Sequence, residues 1–241
     1  MPAVFIHGVP DTALVWRPLL QELKRRDVIC LSLPGFGNSR PAGFNPDKDS
    51  YASWIVDRLK SIDGPIDIVG HDWGALLVAR VVSIAPSLVR SWSVGAAPLD
   101  PDYVWHDTAQ ICQTPGKGEE LMKNFTGEPL AMGLSAQGIP VEQARETARR
   151  IDDEMKTCIL ALYRSAVRVA DDWFADLKQV KAPGLVMWGE RDPYADASFG
   201  KRLAVNTHAR FKLIPRAGHW YQVENPGLVA RELEEFWTNM T

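Results

Sequence analysis

Residues 66–82 constrain the fold more than any other stretch, because they join an apolar strand to an apolar helix through a five-residue turn. The turn, residues 70–74, reads Gly-His-Asp-Trp-Gly and has Asp72 at its centre. This pattern is typical of a nucleophile elbow, a sharp strand-to-helix turn that lifts one side chain above a sheet. Its glycines are needed where two backbones approach too closely for a Cβ atom. The alternative is a plain turn, since glycine and aspartate are common in turns.

Asp72 narrows the chemistry that such an elbow performs. A carboxylate attacks saturated carbon and forms an ester, which water must then cleave at the carbonyl carbon. A serine-type esterase is disfavoured, because the elbow contains no serine. The elbow therefore favours a hydrolase that works in two steps.

The size and charge of the chain limit the classes of protein to consider. The 241 residues leave room for one α/β domain with an insertion or for two small domains. Hydrophobic residues make up 46% of the chain and charged residues 24%, as in an ordinary globular protein with a sizeable core. The net charge of -3, without a long basic run, argues against binding to nucleic acid.

The cysteines and the apolar stretches predict a cytoplasmic location. Cys30, Cys112 and Cys158 form neither a metal-binding pattern nor a disulfide framework, which suits a reducing compartment. The first residues lack the features of a signal peptide. No apolar stretch reaches the roughly 18 residues needed to span a membrane. Since there is also no glycine-rich phosphate loop and no metal-ligand spacing, we expect no cofactor.

Strands alternate with helices over most of the chain. Apolar runs at residues 3–6, 28–33, 66–69, 89–95, 184–188 and 211–214 predict buried strands. Helical spacing predicts helices over 11–26, 50–62, 73–84 and 226–239. Such alternation predicts an α/β protein with a mostly parallel sheet that helices cover on both faces.

The alternation stops between residues 98 and 172, where no convincing strand is found. Apolar residues occur there at helical spacing between glycine and proline breaks. We therefore predict that residues 1–97 and 173–241 form the α/β core and that 98–172 form an inserted helical cap.

Three polar residues follow the ends of predicted strands, namely Asp72, Asp192 and His219. The carboxyl ends of parallel strands meet at one edge of the sheet, where ligands bind. Taken singly, Asp192 before Pro193 suits a turn, and a histidine near the end of a chain is usually a surface or capping residue. Taken together, the three residues predict a nucleophile, an acid and a histidine base.

At this point the chain resembles the α/β-hydrolase fold, and within it the aspartate-nucleophile branch of epoxide hydrolases and haloalkane dehalogenases. The matching stretches are residues 7–10, 70–75, 188–192, 218–220 and 224–226. Members of this branch carry two more strands before the first of these stretches. The resemblance therefore implies a sheet that lacks its first two strands at one edge, which leaves the oligomeric state open, with a homodimer as one possibility.

The resemblance also implies a role for each residue. Asp72 attacks the substrate, His219 activates water as a general base, and Asp192 orients the imidazole and stabilises its cation. The oxyanion formed during ester hydrolysis needs preorganised donors. The backbone N–H groups of Val9 and Trp73 are implied to form this oxyanion hole, with a cis peptide after Val9 to aim its N–H group. His7 and His71 are expected to be structural.

Two leaving groups remain open. A dehalogenase needs two N–H donors around the halide, for which Trp73 and Trp105 are the candidates. An epoxide hydrolase needs acidic O–H groups from the cap, and the segment around Tyr163 resembles the one that bears the first. The expected position of the second holds Thr108, with His106 and Tyr103 as nearby substitutes.

We favour an epoxide hydrolase that opens a small apolar epoxide to a vicinal diol. Pro10 in the first loop and residues 218–220 resemble the epoxide-opening branch. The alternative is a haloalkane dehalogenase that uses the same triad. A non-catalytic ligand receptor on this fold is a third possibility, which the complete triad argues against.

Overall fold

Six parallel strands form one sheet in the computed structural model, which describes residues 1–240. The strands are β1 (Ala3–Ile6), β2 (Val28–Leu31), β3 (Ile66–His71), β4 (Val89–Gly95), β5 (Gly184–Gly189) and β6 (Arg210–Ile214). Their order across the sheet is β2-β1-β3-β4-β5-β6. This architecture confirms the predicted α/β-hydrolase fold with its inserted helices.

The side chains of β1 show how the sheet is covered. Val4 and Ile6 point into the hydrophobic cluster on one face, whereas Ala3 and Phe5 point into the cluster on the other. All four are fully buried, as expected for a parallel strand with helices on both sides. Because both faces of β1 are buried, its sequence is an uninterrupted apolar run and not an alternation of apolar and polar residues.

The core helices pack on both faces of the sheet. They are α1 (Arg17–Glu22), α2 (Lys48–Lys60), α3 (Trp73–Ile84), α10 (Ala197–Thr207), α11 (Tyr221–Glu224) and α12 (Pro226–Thr238). Short 3-10 helices cover Ala13–Trp16 and Pro86–Leu88. Buried residues of α2, α3 and α10 belong to one hydrophobic cluster, and those of α1, α11 and α12 belong to the other.

The first core helix is shorter than the sequence pattern predicted. We expected a helix to Arg26, but α1 ends at Glu22 and Leu23 is extended, with ψ 136°. Leu23 is buried in the core, and two residues later the Arg25 guanidinium binds the buried carboxylate of Asp67 at 2.9 Å. These tertiary contacts draw the chain away from the helix axis and override the local pattern.

Six helices lie between β4 and β5 in the chain. They are α4 (Asp107–Gln113), α5 (Lys117–Lys123), α6 (Gly127–Ala136), α7 (Val141–Arg150), α8 (Asp153–Ser165) and α9 (Val169–Leu177). We propose the cap as residues 98–172; α9 runs across that boundary. Within residues 1–240, none of the helices combines the length and apolar character that crossing a membrane requires.

The strand order locates the crevice where a ligand can bind. The connection after β1 leads to β2 on one side, whereas the connections after β3 lead toward β4 on the other. The carboxyl ends of β1 and β3 therefore flank a switch point, where open α/β sheets place their ligands. The loop that begins at His7 and the elbow at Asp72 both start there.

Candidate active site

Asp72 occupies a strained turn between β3 and α3. Its φ of 53° and ψ of -128° are unusual for a residue with a side chain. A Cβ atom on Gly70 would lie 2.3 Å from the carbonyl oxygen of Gly74, and one on Gly74 would lie 2.1 Å from that of Ile6. The strand, the helix and the end of β1 are thus in direct backbone contact, and this contact holds the Asp72 side chain above the sheet.

Backbone N–H groups hold the Asp72 carboxylate. The N–H of Val9 donates to Oδ2 at 2.7 Å, and the backbone N–H of Trp73 also donates to the carboxylate. The Val9–Pro10 peptide bond is cis. A Cβ on Gly8 would lie 2.3 Å from Oδ2, so only glycine allows the loop this close. The two N–H groups implied for the oxyanion hole therefore both bind the carboxylate.

His219 lies between the two carboxylates. Its Nδ1 is 3.1 and 3.2 Å from the carboxylate oxygens of Asp192, and its Nε2 is 3.7 Å from Oδ1 of Asp72. Because Asp192 accepts the proton on Nδ1, Nε2 is left facing Asp72. The structure thus brings Asp72, Asp192 and His219 together in the arrangement that a nucleophile, base and orienting acid require.

The charges of the triad stabilise one another. Burial disfavours the protonated imidazole, but the charge and hydrogen bond of Asp192, together with the charge of Asp72, raise the pKa of His219 above 6.5. Burial raises the pKa of Asp72 above 3.8, while the charge of His219 and the backbone donors act in the opposite direction. The arrangement favours an imidazolium that forms transiently next to a carboxylate.

Two further histidines support the loops around the triad. His7 donates through Nδ1 to the Gly8 carbonyl at 2.8 Å and accepts the Leu33 N–H on Nε2 at 3.0 Å. Burial lowers the pKa of His7 to about 4, so its ring is neutral. His71 donates through Nε2 to the carbonyl oxygen of His219 at 2.8 Å. Neither ring lines the cavity above the triad.

A cavity of about 200 Å³ lies between the triad and the cap. All predicted site residues except Asp192 line this cavity, namely Val9, Asp72, Trp73, Trp105, His106, Thr108, Tyr163 and His219. Asp192 lies behind His219, as an orienting residue should. Within residues 1–240, no three His, Cys, Asp or Glu side chains are grouped in a way that would hold a metal ion.

Aromatic side chains form the wall next to Asp72. Trp73 and Trp105 stack with ring centres 5.9 Å apart, and Tyr163 contacts them edge-on at 5.1 and 5.7 Å. Burial, followed by the charge of Asp72, raises the pKa of Tyr163 well above 10, and a hydrogen bond with Trp73 acts in the opposite direction. The phenol therefore keeps its proton at neutral pH.

The candidates for a second proton donor have other contacts. His106 caps α4, where its Nδ1 accepts the Ala109 N–H at 3.3 Å. Burial, together with the charge of His219, lowers the pKa of His106 to about 4. The Tyr103 hydroxyl donates to the backbone carbonyl of Tyr194 at 3.1 Å. Thr108 is exposed at the rim of the cavity.

Two polar residues near the triad were not predicted from the sequence. Tyr194 follows Asp192 by two positions, and its ring centre lies 4.7 Å from that of His219. Asp11 is buried and accepts the indole N–H of Trp220 at 2.8 Å. Burial raises the pKa of Asp11 to about 7, with a contribution from the charge of Asp72. Asp11 directly follows the matched stretch 7–10, and Tyr194 lies two residues after the matched stretch 188–192; this closeness is the signal that could have found them.

A known protein family matches nearly the whole chain. Residues 3–232 match the model of the alpha/beta hydrolase family. The chain belongs to this family. Among structures, this alpha/beta hydrolase resembles haloalkane dehalogenase DbeA from Bradyrhizobium elkani, with a TM-score of 0.79, 21% identity, and coverage of 99% of this chain and 90% of that one. At that identity the likeness shows the fold alone.

Sequence relatives of this alpha/beta hydrolase have several activities. It is 30% identical to (E)-2-((N-methylformamido)methylene)succinate hydrolase of Acinetobacter baylyi, covering 100% of this chain and 91% of the relative. It is 22% identical to epoxide hydrolase 4 of Mus musculus, covering 94% and 70%. It is 26% identical to the dihydrolipoyllysine-residue acetyltransferase component of the acetoin cleaving system of Pseudomonas putida, but spans only 63% of that relative's length.

Proposed function

We propose that this hydrolase opens an epoxide to a vicinal diol through an ester on Asp72. The observation that supports this proposal best is the position of Tyr163, a buried phenol that lines the same cavity as the Asp72 carboxylate. Opening an epoxide requires both a nucleophile and a proton for the oxygen that leaves carbon. A carboxylate and a protonated phenol on one small cavity supply these two groups.

In the first step, Asp72 Oδ1 attacks an oxirane carbon, and the bond between that carbon and the oxirane oxygen breaks. Oδ1 is the attacking atom because Oδ2 is held by the Val9 N–H. The released oxygen takes the proton of Tyr163. Oδ2 becomes the carbonyl oxygen of the ester and stays next to its backbone donors, where it can accept negative charge in the second step.

In the second step, His219 Nε2 takes a proton from water, and the hydroxide attacks the ester carbonyl carbon. The bond between this carbon and Oδ1 breaks, and the departing alkoxide takes the proton back from His219. Asp72 leaves this step as a carboxylic acid, whose proton returns to the Tyr163 phenolate through solvent. One epoxide and one water thus give one diol, and each residue returns to its starting state.

The lining and the volume of the cavity favour a small, uncharged substrate. Its lining contains no lysine, arginine or glutamate, and much of it is apolar, including Leu76, Met122, Phe125, Leu134 and Ile159. Its volume is about 200 Å³. An apolar cavity of about 150 Å³ is large enough for benzene. We propose epoxides that carry one ring of about this size.

Haloalkane dehalogenation is the second candidate, because the stacked indoles of Trp73 and Trp105 both line the cavity. In that reaction Asp72 displaces a halide, which two N–H groups would stabilise. The halide leaves as an anion and needs no proton, so Tyr163 would have no chemical role.

The His219→Gln variant tests both candidates, because the ester should accumulate when its hydrolysis lacks a base. Intact mass spectrometry after incubation with one-ring epoxides should show an adduct of the whole epoxide. An adduct of the alkyl group with free halide, obtained from haloalkanes only, would assign dehalogenation instead. The His219→Gln/Asp72→Asn double variant is the control and should remain unmodified. If neither panel gives an adduct, both candidates are refuted.

A further inference from the structure

Tyr194 is held in place next to the triad on three sides. Its backbone N–H donates to Asp192 Oδ1 at 2.9 Å, and its carbonyl oxygen accepts the Tyr103 hydroxyl at 3.1 Å. Its ring lies between the rings of His219 and His106, each with centres 4.7 Å away. The phenol of Tyr194 therefore has a defined direction, from the triad toward the cap.

The Tyr194 hydroxyl donates to Oε1 of Gln137, at 2.5 Å. Burial raises the pKa of Tyr194 to about 12, so this donor proton is present at neutral pH. A phenol has one proton, and the amide oxygen accepts it, which orients the amide of Gln137. The amide nitrogen, with its two N–H donors, donates to no acceptor among residues 1–240.

The backbone at Gln137 and Gly138 packs against the loop that carries His219. Gly138 has φ +105°, and a Cβ there would lie 2.5 Å from the carboxyl carbon of Glu224. The Glu224 carboxylate in turn accepts the N–H of Gly218 at 2.9 Å. Gln137 also lines the active-site cavity. Its amide is thus anchored above the triad by both the main chain and Tyr194.

We infer that the Gln137 amide nitrogen binds a hydrogen-bond acceptor of the substrate, so that the site prefers epoxides with a hydroxyl or carbonyl oxygen next to the oxirane ring. This inference rests on the proposed epoxide hydrolysis. Among the other polar groups of the cavity, the Tyr103 hydroxyl donates to a backbone carbonyl oxygen, Nδ1 of His106 accepts a backbone N–H at the start of α4, and the Tyr163 hydroxyl is assigned to ring opening. The Tyr194 side chain contacts both Gln137 and His219. A substrate oxygen that binds the Gln137 amide would therefore lie close to the reacting carbon.

The free-energy cost of leaving the Gln137 N–H donors unpaired sets the size of the preference for epoxides with an acceptor. A substrate without an acceptor would press an apolar group against the amide N–H donors and remove their water. Sites that hydrogen-bond a substrate hydroxyl reject the analogue that lacks it for this reason. For one neutral hydrogen bond at the edge of the cavity, we expect a preference of about tenfold in kcat/KM.

Two epoxides that differ only in this acceptor test the inference. They are trans-2,3-epoxy-3-phenylpropan-1-ol and trans-1-phenyl-1,2-epoxypropane, which carry a hydroxymethyl and a methyl group on the same carbon. The wild-type protein should favour the alcohol by about tenfold in kcat/KM. Gln137→Met, which keeps the side-chain length but has no donor, should lose this preference.

Two further variants separate binding from folding. Tyr194→Phe leaves the amide in place but without its orienting hydrogen bond, and should reduce the preference by raising KM for the alcohol only. Gln143→Met makes the same substitution on cap helix α7, outside the cavity, and should keep the preference. Thermal melting of each variant shows whether it is folded.

The outcomes distinguish this inference from the proposed function. If wild-type protein hydrolyses both epoxides equally well, or if folded Gln137→Met keeps the preference, the inference is overturned while epoxide hydrolysis stands. If wild-type protein hydrolyses neither epoxide nor forms an ester in the His219→Gln variant, the proposed function falls and the inference with it.

Discussion

Replacing Tyr163 with phenylalanine isolates the proton donor of the proposed reaction. Phenylalanine keeps the ring that contacts Trp73 and Trp105 at 5.1 and 5.7 Å and removes only the hydroxyl group. General acid catalysis by a positioned side chain contributes roughly 10²–10⁴-fold to a rate. We therefore expect kcat/KM for an epoxide to fall at least about 100-fold, which corresponds to about 2.7 kcal/mol.

The loss should occur in the first step only. Single-turnover mixing followed by intact mass measurement should show slower formation of the Asp72 ester and an unchanged rate of its hydrolysis by water. The variant should remain folded, because loss of one buried hydrogen bond costs about 1 kcal/mol. For a chain of this size, such a loss lowers the melting temperature by about 2–4 °C.

Tyr51→Phe is the matched control for this experiment. Tyr51 is buried as well, and its hydroxyl donates to the Pro34 carbonyl at 2.7 Å, outside the active-site cavity. Its removal should cost similar stability and leave epoxide turnover unchanged. If Tyr163→Phe hydrolyses epoxides within threefold of wild type, the phenol is not the acid and the mechanism is wrong. Unchanged haloalkane turnover in the same variant would support dehalogenation instead.

Three further predictions follow from the groups around the triad. His219 must be neutral to act as a base, so the rate of ester hydrolysis should fall in acid as the imidazole, whose pKa Asp192 raises, gains a proton. Asp192→Asn should move this acid limb to lower pH, and an unmoved limb would contradict the assignment. Burial lowers the pKa of His7 from 6.5 to about 4. Between pH 6.5 and pH 4, this imidazole therefore gains a proton only in the unfolded chain. As the pH falls from 6.5 to 4, the contribution of His7 should lower the free energy of unfolding in urea by about 3 kcal/mol, and His7→Asn should lose this share of the pH dependence. Gly74→Ala would place a Cβ 2.1 Å from the Ile6 carbonyl oxygen, so the variant should unfold several degrees lower in calorimetry or fail to fold, and a wild-type melting temperature would refute the close approach.

Much of the core could be predicted from sequence, because the constraints there are local. A parallel strand that is buried on both faces must be apolar throughout, and β1 is an uninterrupted apolar run. The elbow needs glycine at two positions where backbones touch, so Gly70 and Gly74 mark it in the sequence. The prediction that the first helix continues to Arg26 was wrong because distant contacts decide its end. These are the burial of Leu23 and the ion pair of Arg25 with Asp67.

The sequence by itself determined the fold class and the three residues proposed for the triad, because each follows a strand whose apolar run and turn residues are visible in the chain. Only the tertiary structure decided which polar side chains lie near Asp72 besides Tyr163, which the resemblance implied. Tyr163, Tyr194 and Gln137 belong to different segments, and their meeting depends on how α6 and α8 pack over the sheet. Helical spacing shows which face of a helix is apolar but not where that face docks, so the polar groups proposed to select the substrate come together only when the cap is in place.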